Sequence, residues 1–210
     1  MLCLEPAKKR VAAFFDCQNL FKSVKALWGY SYPNFNPIEL AKLLTIRHHN
    51  EGWILTGIHL YTGLHNLAVN ETWHHFWSKK LAAHKSQDSR VTFFTAPLRY
   101  SGDVAREKGV DIRIALDMVR MARLAEYDVA LLFSQDNDFG EVAEEIRAIV
   151  KEKQRWIKIA SAYPYDTCNK LRGVNKTDWE KISKAEYDSC IDPTDYRPST
   201  SQGTETHPTV

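Results

Sequence analysis

The chain has no Cys-x-x-Cys pair. Its cysteines stand apart at positions 3, 17, 168 and 190, which argues against a zinc knuckle and against a disulfide framework. A reduced, intracellular protein in the cytoplasm is the expectation. Apolar runs long enough to span a bilayer are also missing. The opening "MLCLEPAKKRVAAFFD" places bases before an apolar stretch, but that stretch, Val11 to Phe15, is too short for a signal peptide and stops at Asp16. No membrane association is therefore expected. Nor is charge of one sign in excess, because 28 Lys plus Arg against 26 Asp plus Glu leave a formal charge of +2. Composition alone thus argues neither for an RNA coat nor for an acidic scaffold. No internal repeat is visible.

What is present fits one compact domain. At 210 residues and 44% hydrophobic, the chain can bury a sizeable core. Short apolar runs predict strands at "VAAFF" (11–15), "WILTGIHLYTG" (53–63), "VTFFTA" (91–96), "DVALLFS" (128–134) and "WIKIASA" (156–162). Helical spacing occupies 19–28, 37–44, 70–84, 109–124 and 138–152, with Asn36-Pro37 and Asn70 as starts. Alternating strands and helices mean an α/β, three-layer α/β/α domain on a mostly parallel sheet, with the first and fourth strands central. The domain is expected to cover residues 1–191. From Asp192 the composition turns to Pro, Ser and Thr, and 192–210 reads as a disordered tail.

In such a sheet, ligands bind beyond the carboxyl ends of the strands. Asp16 ends the first strand, with Asn19 three residues on; "LLFSQDNDF" ends the fourth with Ser134, Asp136 and Asp138. If the two strands are neighbours these carboxylates converge, and their repulsion calls for a hard divalent cation such as Mg²⁺ or Mn²⁺. Taken singly, Asp136 or Asp138 is equally a helix N-cap, and Ser134 either bonds a ligand or satisfies the strand end. In "REKGVDIRIALDMVR" a helix start near Val110 puts Asp111 in the first turn. A stripe of Ile112, Ala115, Leu116 and Val119 is expected to face inward. Asp117 shares a face with Arg113 and Arg120, where ion pairs form on a solvated surface. Lys108 either balances the acids, contacts a phosphate or is merely solvated.

The set "FFDCQNLF", "EKGVDIRIALDM" and "LLFSQDNDF" resembles the motif series of NYN-domain proteins, within the PIN-like nuclease superfamily and particularly its bacterial LabA-like branch, over roughly residues 10 to 162. The resemblance implies a Rossmann-like fold in which clustered acids hold Mg²⁺ or Mn²⁺ for hydrolysis of RNA phosphodiesters. It assigns Asp16, Asp111, Asp136 and Asp138 to metal and catalysis, with Asn19, Ser134 and Asp117 in support. Gln18 departs from the small residue often found there and narrows the approach to Asp16. RNA as substrate needs cations and stacking surfaces. Arg99, Tyr100, Arg106 and Lys108, on a loop leading to the site, are the candidates. Trp73, Phe76, Trp77 and Leu81 have the spacing of a buried helix face, although Lys79, Lys80 and Lys85 lie among them. A homodimer is a further possible partnership. A catalytically inactive RNA- or protein-binding module of the same fold is the alternative. A haloacid-dehalogenase-type phosphohydrolase is discounted, because Gln18 stands where a second Asp is required.

Overall fold

The computed structural model describes residues 4–101, 104–168 and 171–198. Strand β1 (Lys9–Asp16) runs without a loop into α1 (Cys17–Trp28), because the Asp16 side chain caps the helix by accepting from the Asn19 N–H at 3.0 Å. Helix α2 (Pro37–Arg47) starts as expected on Asn36, whose side chain accepts from the backbone of Ile38 and Glu39. There follow β2 (Trp53–Leu64), α3 (Glu71–Gln87) capped by Asn70, and β3 (Val91–Pro97). A hairpin of β4 (Arg99–Ser101) and β5 (Val104–Arg106) leads to α4 (Val110–Arg123). The chain closes with β6 (Val129–Phe133), α5 (Phe139–Lys153), β7 (Lys158–Pro164), β8 (Asp178–Ile182) and α6 (Lys184–Ser189).

Six strands form one sheet in the order β3-β2-β1-β6-β7-β8, every pair parallel. The expected α/β/α architecture is thus what the chain forms. Strand period sorts the core into its two faces. Val11, Ala13 and Phe15 point toward α1, α2, α3 and α6, whereas Ala12 and Phe14 point toward α4 and α5. Phe15 stacks on Phe133 of β6 with ring centroids 3.8 Å apart. Each fully buried Phe is worth about 1.5–3 kcal/mol of apolar transfer, so this pair fixes the β1–β6 neighbourhood on which the site depends. Phe76, Trp77 and Leu81 are buried as their spacing implies. Among the described residues no helix is long and apolar enough to cross a membrane.

Three expectations change. Strand β8, helix α6 and the β4–β5 hairpin were not anticipated; β8 is an edge strand that buries Glu180 and Ile182 and leaves Asp178, Trp179 and Lys181 exposed. Helix α4 is rotated: Val110, Ile114, Met118 and Met121 face the sheet, and Ile112 and Leu116 are 65% and 62% exposed. The helix carries two apolar ladders, and the one beginning immediately after Gly109, which sits at φ +85°, is the one that packs. Finally, Asp192 does not open a disordered tail. It is 5% exposed, 3.2 Å from the Lys80 ammonium, itself buried among Phe35, Phe76 and Tyr196. Lys80 is therefore not available to RNA. Residues 199–210 of the expected tail lie outside the described residues.

Candidate functional site

The strand order reverses between β1 and β6, the topological switch point where an open α/β sheet leaves a crevice beyond its carboxyl ends. Asp16 closes β1 there, and Ser134 to Asp136 follow β6. The two ends are stitched by side chains. Ser134 Oγ donates to Asp16 Oδ2 at 3.3 Å and accepts from the Asp136 N–H at 3.2 Å. Asn19 Oδ1 accepts from the Gln135 N–H at 2.9 Å, and Asp136 Oδ1 from the Asp138 N–H at 3.0 Å. Gly109 turns the chain into α4 and brings Asp111, in its first turn, to the same crevice.

The result is a cavity of about 340 Å³ into which Asp16, Glu107, Asp111 and Asp136 all face, with Lys22, Arg106, Gln18 and Asn19 completing its wall. Gln18 holds its place by donating from Nε2 to Thr62 Oγ1 at 3.3 Å. Burial, with Asp111 nearby, pushes the Asp16 carboxyl up to about 6 against the opposing pull of the Asn19 N–H, Ser134 and Lys22. Burial likewise raises Glu107 to about 7, reinforced by the charges of Asp16 and Asp111. Asp111 is raised by burial and by Asp136. Glu107 Oε1 is buried without a hydrogen-bond partner among the described residues. Carboxylates gathered in one cavity, with Asp16, Glu107 and Asp111 raised by burial, are a donor set suited to a hard cation. No three His, Cys, Asp or Glu side chains among the described residues already stand around a single point. Mg²⁺, which keeps several waters and binds through one or two carboxylates, is compatible with that spacing.

Of the residues expected at the site, Asp16, Asp111 and Asp136 meet in the cavity, Asn19 and Arg106 line it, and Ser134 lies beneath. Asp138 occupies the N-cap position of α5, yet its side chain makes no cap bond; its charge bears on Asp111 from outside the cavity. Asp117 is elsewhere. It accepts from Tyr61 Oη at 3.1 Å and pairs with Arg113 at 2.8 Å and Arg120 at 2.9 Å, the helix-face ion pairing its spacing implied. Tyr100 is turned away, its hydroxyl tied to His65 Nδ1 at 3.0 Å and to the Asn66 N–H at 3.3 Å. Arg99 lies opposite Arg106 in the hairpin, and both it and Lys108 are exposed outside the cavity wall. Sequence reasoning missed Glu107 and Lys22. Lys22 had a signal, since it sits three residues after Asn19 on the same helix face. Glu107 had none beyond its place in "REKGVD", because its burial is set by the distant Gly63, where an added Cβ would lie 3.2 Å from Glu107 Oε1.

Asn19→Ala is expected to slow any turnover at this cavity about tenfold, the lower range for a residue that orients reacting groups from behind. Single-turnover assays would show it as a fall in the chemical rate; an unchanged rate would mean that the Asn19–Gln135 bond does not hold the loop.

A doubly wound α/β/α sheet with carboxylates gathered at its switch point has the plan of a PIN-like nuclease fold. The NYN domain model matches residues 10–170, and the chain belongs to that family, whose members are generally nucleases. Among solved structures the chain is similar to a protein of unknown function from Vibrio parahaemolyticus, at 16% identity and a TM-score of 0.56, covering 88% of this chain and 98% of that one. A search of curated proteins finds no match.

Proposed function

We propose that the protein is a metal-dependent ribonuclease that hydrolyses RNA phosphodiester bonds in the cytoplasm, and that it falls in the LabA-like branch of its family. The supporting observation is the convergence of Asp16, Glu107, Asp111 and Asp136 on one cavity. Asp16, Asp111 and Asp136, which line that cavity, would hold Mg²⁺ or Mn²⁺. When bound, the ion supplies charge neutralisation at phosphorus and a water activated for in-line attack. Lys22 and Arg106 bind the phosphate oxygens that point away from the acids. Glu107, which lines the same cavity, would take the proton of the attacking water. Gln18 limits the width of the strand that can approach, which favours single-stranded RNA.

The other reading, an inactive binding module of the same fold, draws on the absence of three preassembled ligands among the described residues. One experiment separates the two. The purified chain should cut end-labelled RNA in Mn²⁺ or Mg²⁺, stop in EDTA, and take up the ion in calorimetry. Absence of both cleavage and ion uptake decides for the binding module.

A further inference from the structure

Next to the acidic cavity lies a second one of about 310 Å³, with Lys22 forming part of the wall of both. Its volume is at the small end of ligand sites, which run from about 300 to 1,000 Å³. Its character differs from that of its neighbour. Along α1, Lys22 and Ala26, then Ser23 and Leu27, form two adjacent ladders at i, i+4 and present methyl and isobutyl groups. Leu171, from the connection between β7 and β8, closes the opposite side. Gln135 forms the end nearest the site. Its backbone N–H is fixed on Asn19 Oδ1 at 2.9 Å, and its side-chain Nε2 donates to the Arg172 carbonyl at 2.9 Å. Only the NH₂ end of an amide can donate to a carbonyl, so the orientation of this side chain is determined. One N–H and the Oε1 acceptor are left to offer.

We propose that this cavity receives the base of the nucleotide adjoining the scissile phosphate, and that Gln135 holds that base by its donor–acceptor edge. The inference rests on the ribonuclease reading of the acidic cavity. A phosphate held by Lys22 in one cavity leaves its own nucleoside at the mouth of the other. Single-stranded RNA is read by splayed bases that pack on apolar or aromatic surfaces and offer their edges to side chains. The Leu27–Leu171 slot supplies the packing surface. A glutamine amide with an adjacent donor and acceptor matches adenine N7 and N6; it matches uracil O4 and N3–H as well, since N3–H is free in a single strand, whereas purine riboside, lacking the 6-amino group, leaves the Oε1 acceptor without a donor.

The test uses the full chain and fluorescein-labelled hexanucleotides of adenosine (rA6) and of purine riboside, which lacks the 6-amino group, with binding read by anisotropy in Ca²⁺ and cleavage read separately in Mn²⁺. Binding of rA6 is expected to be about tenfold tighter than that of the purine-riboside hexamer, the lower range for a bidentate amide–base pair. Gln135→Leu, close in volume, should bring the ratio near one without much weakening the purine-riboside hexamer. Leu27→Asp should weaken both about five- to tenfold by placing a charge where the base packs. Circular dichroism on both variants checks the fold, and either one alone suffices. Equal affinities in the parent, or a preference that survives both substitutions, overturn the inference while continued cleavage leaves the nuclease reading standing. Gln135-dependent preference without cleavage supports the subsite and removes the nuclease reading. No binding of either RNA removes both.

Discussion

Asp136→Asn is expected to reduce RNA cleavage by about 10²–10³-fold, the range seen when one preorganised electrostatic group is removed from a reacting centre. The fold should be unaffected. Asn keeps an Oδ1 acceptor for the Asp138 N–H, and the bond from the Asp136 N–H to Ser134 Oγ belongs to the backbone. The change thus removes charge from the cavity and leaves the turn after β6 in place. Single-turnover cleavage in Mn²⁺, beside a thermal melt, measures both sides. A variant that cuts like the parent would place the activity outside this crevice, and one that melts much earlier would make Asp136 a structural residue.

The second large effect is on stability. Between about pH 4 and pH 7 the folded metal-free chain holds protons on Asp16 and Glu107 that the unfolded chain has already released, since their ordinary values are 3.8 and 4.5 and their folded values about 6 and about 7. The folded state binds more protons across that window, so the contribution of these groups to stability falls as pH rises. For Asp16 the shift corresponds to about 3 kcal/mol at neutral pH. Asp88 beside Arg90, and Asp128 between Arg10 and Arg155, act in the opposite sense. Held at about 2, they add stability as pH climbs from about 2 to about 4. Asp16→Asn keeps the cap acceptor for Asn19 and removes the charge, so in EDTA at pH 8 it should melt higher than the parent. Mn²⁺ should raise the melting temperature of the parent more at pH 8 than at pH 5, and that of Asp16→Asn little at either. Melting curves at several pH values, with EDTA or Mn²⁺, provide the measurement. A variant less stable than the parent at pH 8 would show that the buried charge is already compensated.

Much of this was legible beforehand because the strands that matter are covered on both faces. "VAAFF" and "VALLF" are apolar at every position, as central parallel strands must be, and the acids that follow them stand out by contrast. Asn36-Pro37 and Asn70 announced their helices through capping chemistry that is local in sequence. The phase of α4 was not legible, since Ile114 and Met118 compete with Ile112 and Leu116 on equal apolar terms and only the turn at Gly109 decides. Asp192 gave no sign either. Its partner Lys80 lies 112 residues away, and the Pro-rich context around Asp192 reads as solvent-facing. Glu107 failed for the same reason. Its neighbour Gly63 comes from another strand end, and nothing within "REKGVD" records that meeting.

The bond from Ser134 to Asp16 spans 118 residues of sequence, and that separation has a consequence in time. A chain released from the ribosome only as far as α4 already carries Asp16, Glu107 and Asp111, but β1 still has no β6 beside it and Asp136 does not yet exist. Contacts between such distant segments form late, after the local hairpins and helices. The crevice therefore cannot assemble before the segment carrying β6 and Asp136 has been made, and a nascent chain that has reached only α4 lacks the proposed activity.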